Sequence, residues 1–468
     1  MMPMLKGIPP LEYWFSRRKF VRLIKRIVLT TVGLSITASD VEKAPAEKAY
    51  KAFFTKPKIL GGLIPNPLNF VPEPKQTLAR WEDDQEFARQ FCNGVNPLMI
   101  ERVKDLKKQV TPELQEMLKS SVDLEILMKE QRLFVVDYKW LADLKVNPHQ
   151  AYPLPMNPDK TQDQPRYFQA PQVVLSLDES RENLDVLAVQ LEQDKDSQVY
   201  SSASTDDATW LFVKASVANC DSQFHEWVSH LGKTHLTMEP HIVAIHNTLR
   251  YKKHKLFTFL KPMVQDTLLL GFAARRTLAS PGANSFGDRI TSVGTGQFMQ
   301  LIDRYWSTYS FFESSALPDE LASRGFEADL EMPAYLYRKD GMELWDAYGE
   351  FAADFVDEIY ASDQAVADDS VLQEWAKETT DKDKAAVKGF PNQFRDKATL
   401  VKTLQTLWWI CSGLHAAVNY PQYEVSINEV CSLWRHLLLA NNVFPCACTV
   451  LHLHSKQATR YAKGQEAI

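Results

Sequence analysis

Three histidines, His225, His230 and His235, recur every five residues in the run Phe224-His225-Glu226-Trp227-Val228-Ser229-His230-Leu231-Gly232-Lys233-Thr234-His235. Far along the chain His415 and Asn419 lie four apart in Leu414-His415-Ala416-Ala417-Val418-Asn419. Imidazole is the commonest metal-ligating side chain, and an amide oxygen is a weak additional ligand. Two such groups on each of two apolar segments are the pattern of a metal site buried between helices. The competing reading is structural. A lone histidine on an apolar helix is more often a hydrogen-bonded core residue, and Asn419 alone reads as a helix-end or core polar residue. The repetition favours a metalloenzyme, but spacing by itself leaves the two readings about level.

Two elements must position these groups. Phe224, Trp227, Val228 and Leu231 fall at i, i+3, i+4 and i+7, which predicts an amphipathic helix. On an ideal α-helix the step from His230 to His235 turns through about 140°, too far for both rings to chelate one ion easily. A local π-bulge would align them, and such bulges cluster at functional sites. In the second segment Leu400, Leu404, Leu407, Cys411, Leu414 and Val418 form a stripe, with His415 and Asn419 beside it. As i, i+4 neighbours the two can share a ligand without distortion.

The stretch from His230 to Leu278, including Thr234-His235-Leu236-Thr237-Met238-Glu239-Pro240, resembles the metal-binding region of the lipoxygenases. Leu414-His415-Ala416-Ala417-Val418-Asn419-Tyr420-Pro421-Gln422-Tyr423 does so too. Asp84-Gln85-Glu86-Phe87-Ala88-Arg89-Gln90 with Gly94-Val95-Asn96-Pro97 resembles the start of the lipoxygenase catalytic domain, and Arg132-Leu133-Phe134-Val135-Val136-Asp137-Tyr138 the segment after it. The matches run in order from Trp81 to Tyr423, about three quarters of the chain. They leave no room before Trp81 for the N-terminal β-barrel that plant and animal members often carry.

The resemblance implies a mainly α fold: a lipoxygenase-like helical catalytic domain with a long central iron-binding helix and a minor β component. It implies one non-haem iron held by His230, His235, His415 and the weak ligand Asn419. Gln422 matches a glutamine that links the iron ligands to the substrate channel. His225, His241, His246 and His254 are not ligands in this reading, and Met263 stands where many members have a further histidine. Ala274 falls at the family position where alanine accompanies S products and glycine R products.

In the family the last ligand is a C-terminal carboxylate, here that of Ile468. After Tyr423, however, no family pattern continues. Cys431, Cys446 and Cys448 put three of the six cysteines there, with His436, His452 and His454. The stretch therefore reads as a disrupted tail in which Ile468 arises by chance. The competing reading brings the tail back across the site with its carboxylate on iron, a distance that the chain can span. Cys446-x-Cys448 and His452-x-His454 read as accidental rather than as a second metal site.

Composition fits a globular enzyme: 468 residues, 45% hydrophobic and 24% charged, enough for a large core. A net charge of −6 offers no basic footprint for nucleic acid, and the cysteine spacing implies no disulfide framework. Residues 1–40 read as a leader. Lys6, Arg17, Arg18, Lys19, Arg22, Lys25 and Arg26 precede the apolar run Ile27 to Ile36, and Ser16-Arg17-Arg18-Lys19-Phe20 is similar to a twin-arginine export signal. The alternative is a basic amphipathic helix in peripheral contact with anionic lipid. Residues 41–423 then form the catalytic domain and 424–468 an atypical tail. A helix is expected over Ala44 to Lys56, loops over Pro57 to Pro74 and Pro148 to Pro171, and helices from Trp81 to Leu144. A short strand is expected at Val173 to Leu177, and mainly helix from Trp210 to Tyr423 with a polar loop over Ser280 to Gly296. No internal repeats occur.

The donor set suits mononuclear iron better than structural zinc, which prefers closed tetrahedral sites. The resemblance implies a dioxygenase. Hydrogen is abstracted from the methylene between two cis double bonds of a polyunsaturated fatty acid, and O2 traps the radical as a hydroperoxide. The alternatives are a relative that consumes hydroperoxides, and an inactive lipid-binding product of the disrupted tail.

Overall fold

The computed structural model describes residues 80–422 apart from 81, 143, 145–150, 155–156, 164–167, 278, 280–292 and 294. Backbone alone is described for two short hairpins, pairing 58–59 with 64–65 and 151–154 with 157–163. These hairpins stand where the proline-rich segments read as loops. The leader, the helix expected over 44–56, most of the loop at 280–296 and the tail with Ile468 lie outside the described residues.

A five-stranded antiparallel sheet stands beside a helical body. Its strands are β1 (Ile100–Arg102), β2 (Leu133–Asp137), β3 (Gln172–Leu177), β4 (Leu184–Gln190) and β5 (Val199–Tyr200), paired in chain order. The expected strand at Val173 to Leu177 is thus one of a set, and two strands interrupt the region read as helical from Trp81 to Leu144. The sheet is covered on both sides. Phe134, Val136, Val173, Leu175 and Leu177 join the core around the central helix, while Leu133, Val135 and Val174 pack under the short helices between 106 and 129. This alternation is the two-residue period of a strand. With both faces buried, the sequence shows no polar side.

The central helix opens as α1 (Asp207–Phe224). Asp206 caps it, accepting a hydrogen bond from the Thr209 amide at 3.0 Å. It continues as a π-helix over His225–Leu236, as α2 over Met238–Ile245 and as a second π-segment over His246–Arg250. The wide turn is visible in its bonding: the Thr237 amide donates to the Gly232 carbonyl five residues back at 3.1 Å. The bulge expected from the histidine spacing is therefore present, and it extends over 12 residues.

Three neighbouring helices matter for the site. They are α3 (Thr267–Thr277), α4 (Thr295–Thr308) and α5 (Lys397–Trp409). Helix α4 lies tight against the π-segment. A Cβ at Gly232 would stand 2.8 Å from Ile302 Cδ1, so a larger residue there would require that side chain to shift. Trp227 stacks on Phe298 with centroids 4.7 Å apart, a contact that adds about 0.5–1.5 kcal/mol beyond burial.

Helix α5 is capped by Asp396, which accepts from the Thr399 amide at 2.6 Å. It passes through a π-turn, Ile410–Leu414, into α6 (His415–Asn419). The expected stripe is buried at Leu400, Leu404, Leu407, Leu414 and Val418. Cys411, within the π-turn, is only half-buried. The distortion ends before His415, and His415 and Asn419 share one regular helical turn.

Candidate metal centre

The π-turn rotates His230 and His235 to one side of the central helix, where they meet His415. His235 Nε2 lies 3.3 Å from His230 Nε2 and 3.1 Å from His415 Nε2. One nitrogen from each of the three rings falls within 4.8 Å of the others. All three residues are half-buried. Burial, then the neighbouring imidazoles His230 and His415, hold His235 down to about 3. Burial, then His230, holds His415 to about 4. His235 and His415 are therefore neutral near pH 7.

Where two such ring nitrogens face one another, either a proton on one of them or a cation between them must offset the repulsion of their lone pairs. Donors bound to one ion at about 2.0–2.2 Å stand roughly 3 Å apart when cis, close to the separations found here. The cluster fits a metal ion.

The surrounding residues orient it. His230 Nδ1 lies 3.3 Å from Glu226 Oε2. With the proton on Nδ1 donated to that carboxylate, Nε2 is free to ligate. Gln422 Nε2 donates to the same oxygen at 2.9 Å and lies 3.0 Å from His230 Nδ1. Gln422, singled out in the sequence, thus joins the two segments. Glu226 was missed there, although a carboxylate four residues before a histidine is its helical neighbour.

Asn419 is half-buried and ends the helix that His415 begins. Next to it, the Val418 carbonyl accepts from His225 Nε2 at 2.6 Å. His225 is buried and held to about 4 by that burial. It ties one helix to the other.

The blocks near Asn96 and Tyr138 bear on the same helix. Asp221, one turn before His225, accepts from Asn96 Nδ2 at 2.6 Å and from the Tyr138 hydroxyl at 2.5 Å. Burial pushes its carboxyl up to about 6 against these two hydrogen bonds.

The other histidines stand apart from the cluster. His254 Nε2 meets Asp369 Oδ2 at 2.9 Å and its Nδ1 accepts from the Leu256 amide. His246 Nδ1 accepts from Arg250 at 2.7 Å. His241 is fully buried beside Phe311 and Phe390, and neither ring nitrogen has a protein partner among the described residues.

Burial holds His241 down to about 3 from an ordinary 6.5. Between those values the unfolded chain binds more protons than the native one. Stability carried by the neutral ring is therefore present above pH 6.5 and lost as pH falls towards 3. Replacing His241 with leucine removes the unsatisfied nitrogens, each costing about 1–3 kcal/mol. His241→Leu should raise the urea midpoint at neutral pH, with a margin that widens in acid. A midpoint equal to or below wild type at both pH 7 and pH 5 would contradict this.

A lipoxygenase family model matches residues 69–428. The chain belongs to the lipoxygenase family, which is iron-dependent. It is 31% identical over 363 residues to the polyunsaturated fatty acid lipoxygenase ALOX8 of Mus musculus, covering 76% of this chain and 50% of that protein. It is 29% identical to the seed linoleate 9S-lipoxygenase of Glycine max, covering 76% of this chain and 44% of that one. The solved coral 8R-lipoxygenase superposes with a TM-score of 0.65 at 25% identity, covering 75% of this chain and 51% of that one. A fungal lipoxygenase from Fusarium graminearum does so at 0.60 and 25%, covering 74% of this chain and 55% of that one. The chain spans about half the length of the curated relatives it matches. The relatives support a fatty-acid dioxygenase at the level of the family, and the fold is the mainly helical catalytic fold expected.

Proposed function

We propose that the chain is a non-haem iron dioxygenase that converts polyunsaturated fatty acids to hydroperoxides, with His230, His235 and His415 as imidazole ligands and Asn419 as a weak amide-oxygen ligand. One observation carries the reading: one nitrogen from each of three imidazoles on two helices lies within 4.8 Å of the others, with His235 Nε2 at 3.3 Å from His230 Nε2 and 3.1 Å from His415 Nε2. When bound, iron supplies the one-electron chemistry by which a bis-allylic hydrogen is removed and dioxygen added.

The chain's own residues do the rest. Glu226 holds the proton on His230 Nδ1 and so presents Nε2. Gln422 fixes that carboxylate from the second helix. His225 holds the Val418 carbonyl, and with it the distance between the two helices. The acyl chain must then be oriented so that oxygen reaches one end of the radical, a task proposed below for the helix that carries Ala274.

The test is turnover of linoleate or arachidonate by the iron-loaded chain, followed as oxygen uptake and conjugated-diene absorbance. Diene absorbance should rise in step with oxygen consumed. Oxygen-independent loss of added fatty-acid hydroperoxide, with no diene formed from the parent acid, would mean the alternative activity. No turnover of either by protein carrying a full equivalent of iron would overturn the reading.

A further inference from the structure

Between His230 and His235, the π-segment carries Lys233, buried to 8% exposure. Its Nζ lies 3.5 Å from Glu320 Oε1. Glu320 is already held by both arms of Arg324, at 2.8 and 3.0 Å. Arg324 in turn donates to the Ile100 carbonyl at 2.8 Å, on the first strand of the sheet. Its guanidinium stands over the rings of Phe326 and Tyr335. The group is thus a chain of contacts from the sheet to the turn between the two histidines.

Its charges do not balance. Two cations share one carboxylate, and no second carboxylate pairs with Lys233 among the described residues. The Glu320–Arg324 pair is complete without the lysine. Burying a further ammonium for one contact at 3.5 Å is a poor source of stability, since desolvation offsets what a loose contact returns. An apolar side chain of similar length would do as well or better for the fold.

A π-helix is wide, and its freed carbonyls are here met by hydroxyls: Thr234 donates to the His230 carbonyl at 2.7 Å and Thr237 to the Lys233 carbonyl at 2.6 Å. Such a segment can relax to ordinary helix unless something fixes its rotation. Relaxation would return His230 and His235 to the roughly 140° separation at which they cannot share an ion. We propose that Lys233, anchored on Glu320 and Arg324, is a positioning residue that holds the π-register and so keeps both imidazoles aimed at one point. The metal-binding part of this rests on the function proposed above.

The experiment uses the full chain, stripped of metal with a chelator, as wild type, Lys233→Met and Lys233→Arg. Three quantities are read: the thermal midpoint, amide hydrogen exchange across 225–236, and Co2+ affinity from visible absorption. Lys233→Met should keep or raise the midpoint, speed exchange across the segment, and weaken Co2+ about tenfold or more, the lower end of the loss seen when a supporting residue is changed. Lys233→Arg should restore exchange and affinity to near wild type.

Wild-type exchange and affinity in Lys233→Met would overturn the proposal. So would a Lys233→Met protein that is less stable or does not fold, because the pair would then be structural. If the wild type binds no Co2+, the metal site itself is wrong, and the exchange measurement alone decides whether Lys233 holds the turn.

Discussion

His235→Ala should lose most of the bound iron and all measurable dioxygenation, while folding as well as wild type. His235 stands between the other two rings, its Nε2 at 3.1 and 3.3 Å from theirs, so its loss leaves two imidazoles on separate helices. The affinity lost should exceed the roughly 10- to 100-fold typical of changing a supporting residue. The fold should not suffer. His235 is half-buried, and its Nε2 points at other imidazoles.

His225→Ala is the informative contrast. It leaves the Val418 carbonyl without its 2.6 Å donor inside the protein and should cost about 1–3 kcal/mol of stability. Its three candidate imidazole ligands remain. Iron content by mass spectrometry and unfolding midpoints on both variants check the pair. Stoichiometric iron in His235→Ala would defeat the assignment.

The second large effect concerns product handedness. Ala274 is half-buried on helix α3 and packs against the core that encloses the site. The helix is pinned to the central helix by an ion pair between Arg275 and Glu239, four residues past His235. A Cβ at Gly271 would already stand 2.5 Å from Glu239 Oε1, so the approach is close. The one methyl of Ala274 is thus held in place relative to the central helix.

A methyl that overpacks a tight site is worth about 1–3 kcal/mol. That corresponds to a roughly tenfold or larger bias between two positions of oxygen attack. Wild type should give mainly S hydroperoxide, and Ala274→Gly should shift it toward R at a different carbon. Chiral chromatography of the reduced products reads both. A wild type that is mainly R, or a glycine variant of unchanged chirality, would make Ala274 an ordinary helix contact.

What could be read from the sequence follows the range of the interactions involved. The five-residue histidine spacing conflicts with an α-helix, and that conflict alone pointed to the π-turn. His415 and Asn419 sit one helical turn apart and needed nothing further. The sheet was mostly hidden. Ile100–Arg102 is too short to show a period, and Leu133–Asp137 is buried on both faces, so no alternation marks it; only Val173–Leu177, a β-branched and apolar run after a proline-rich stretch, read as a strand. The distortion at Ile410–Leu414 has no counterpart in a stripe that looked regular.

Long-range pairings were out of reach altogether. Glu226 meets Gln422, Lys233 meets Glu320, and Asp221 meets Asn96 and Tyr138, and no local pattern joins such partners. The blocks containing Asn96 and Tyr138 were noticed for their resemblance alone. Their physical role, holding the central helix just before its π-turn, became visible only in three dimensions.

The most direct test is the metal content of purified wild-type protein, measured by mass spectrometry after anaerobic incubation with Fe2+ and removal of excess. Three converging imidazoles predict about one iron per chain, retained through gel filtration and lost from His235→Ala. Iron far below one equivalent in folded wild-type protein, or an equal amount in wild type and His235→Ala, would contradict an iron centre at His230, His235 and His415.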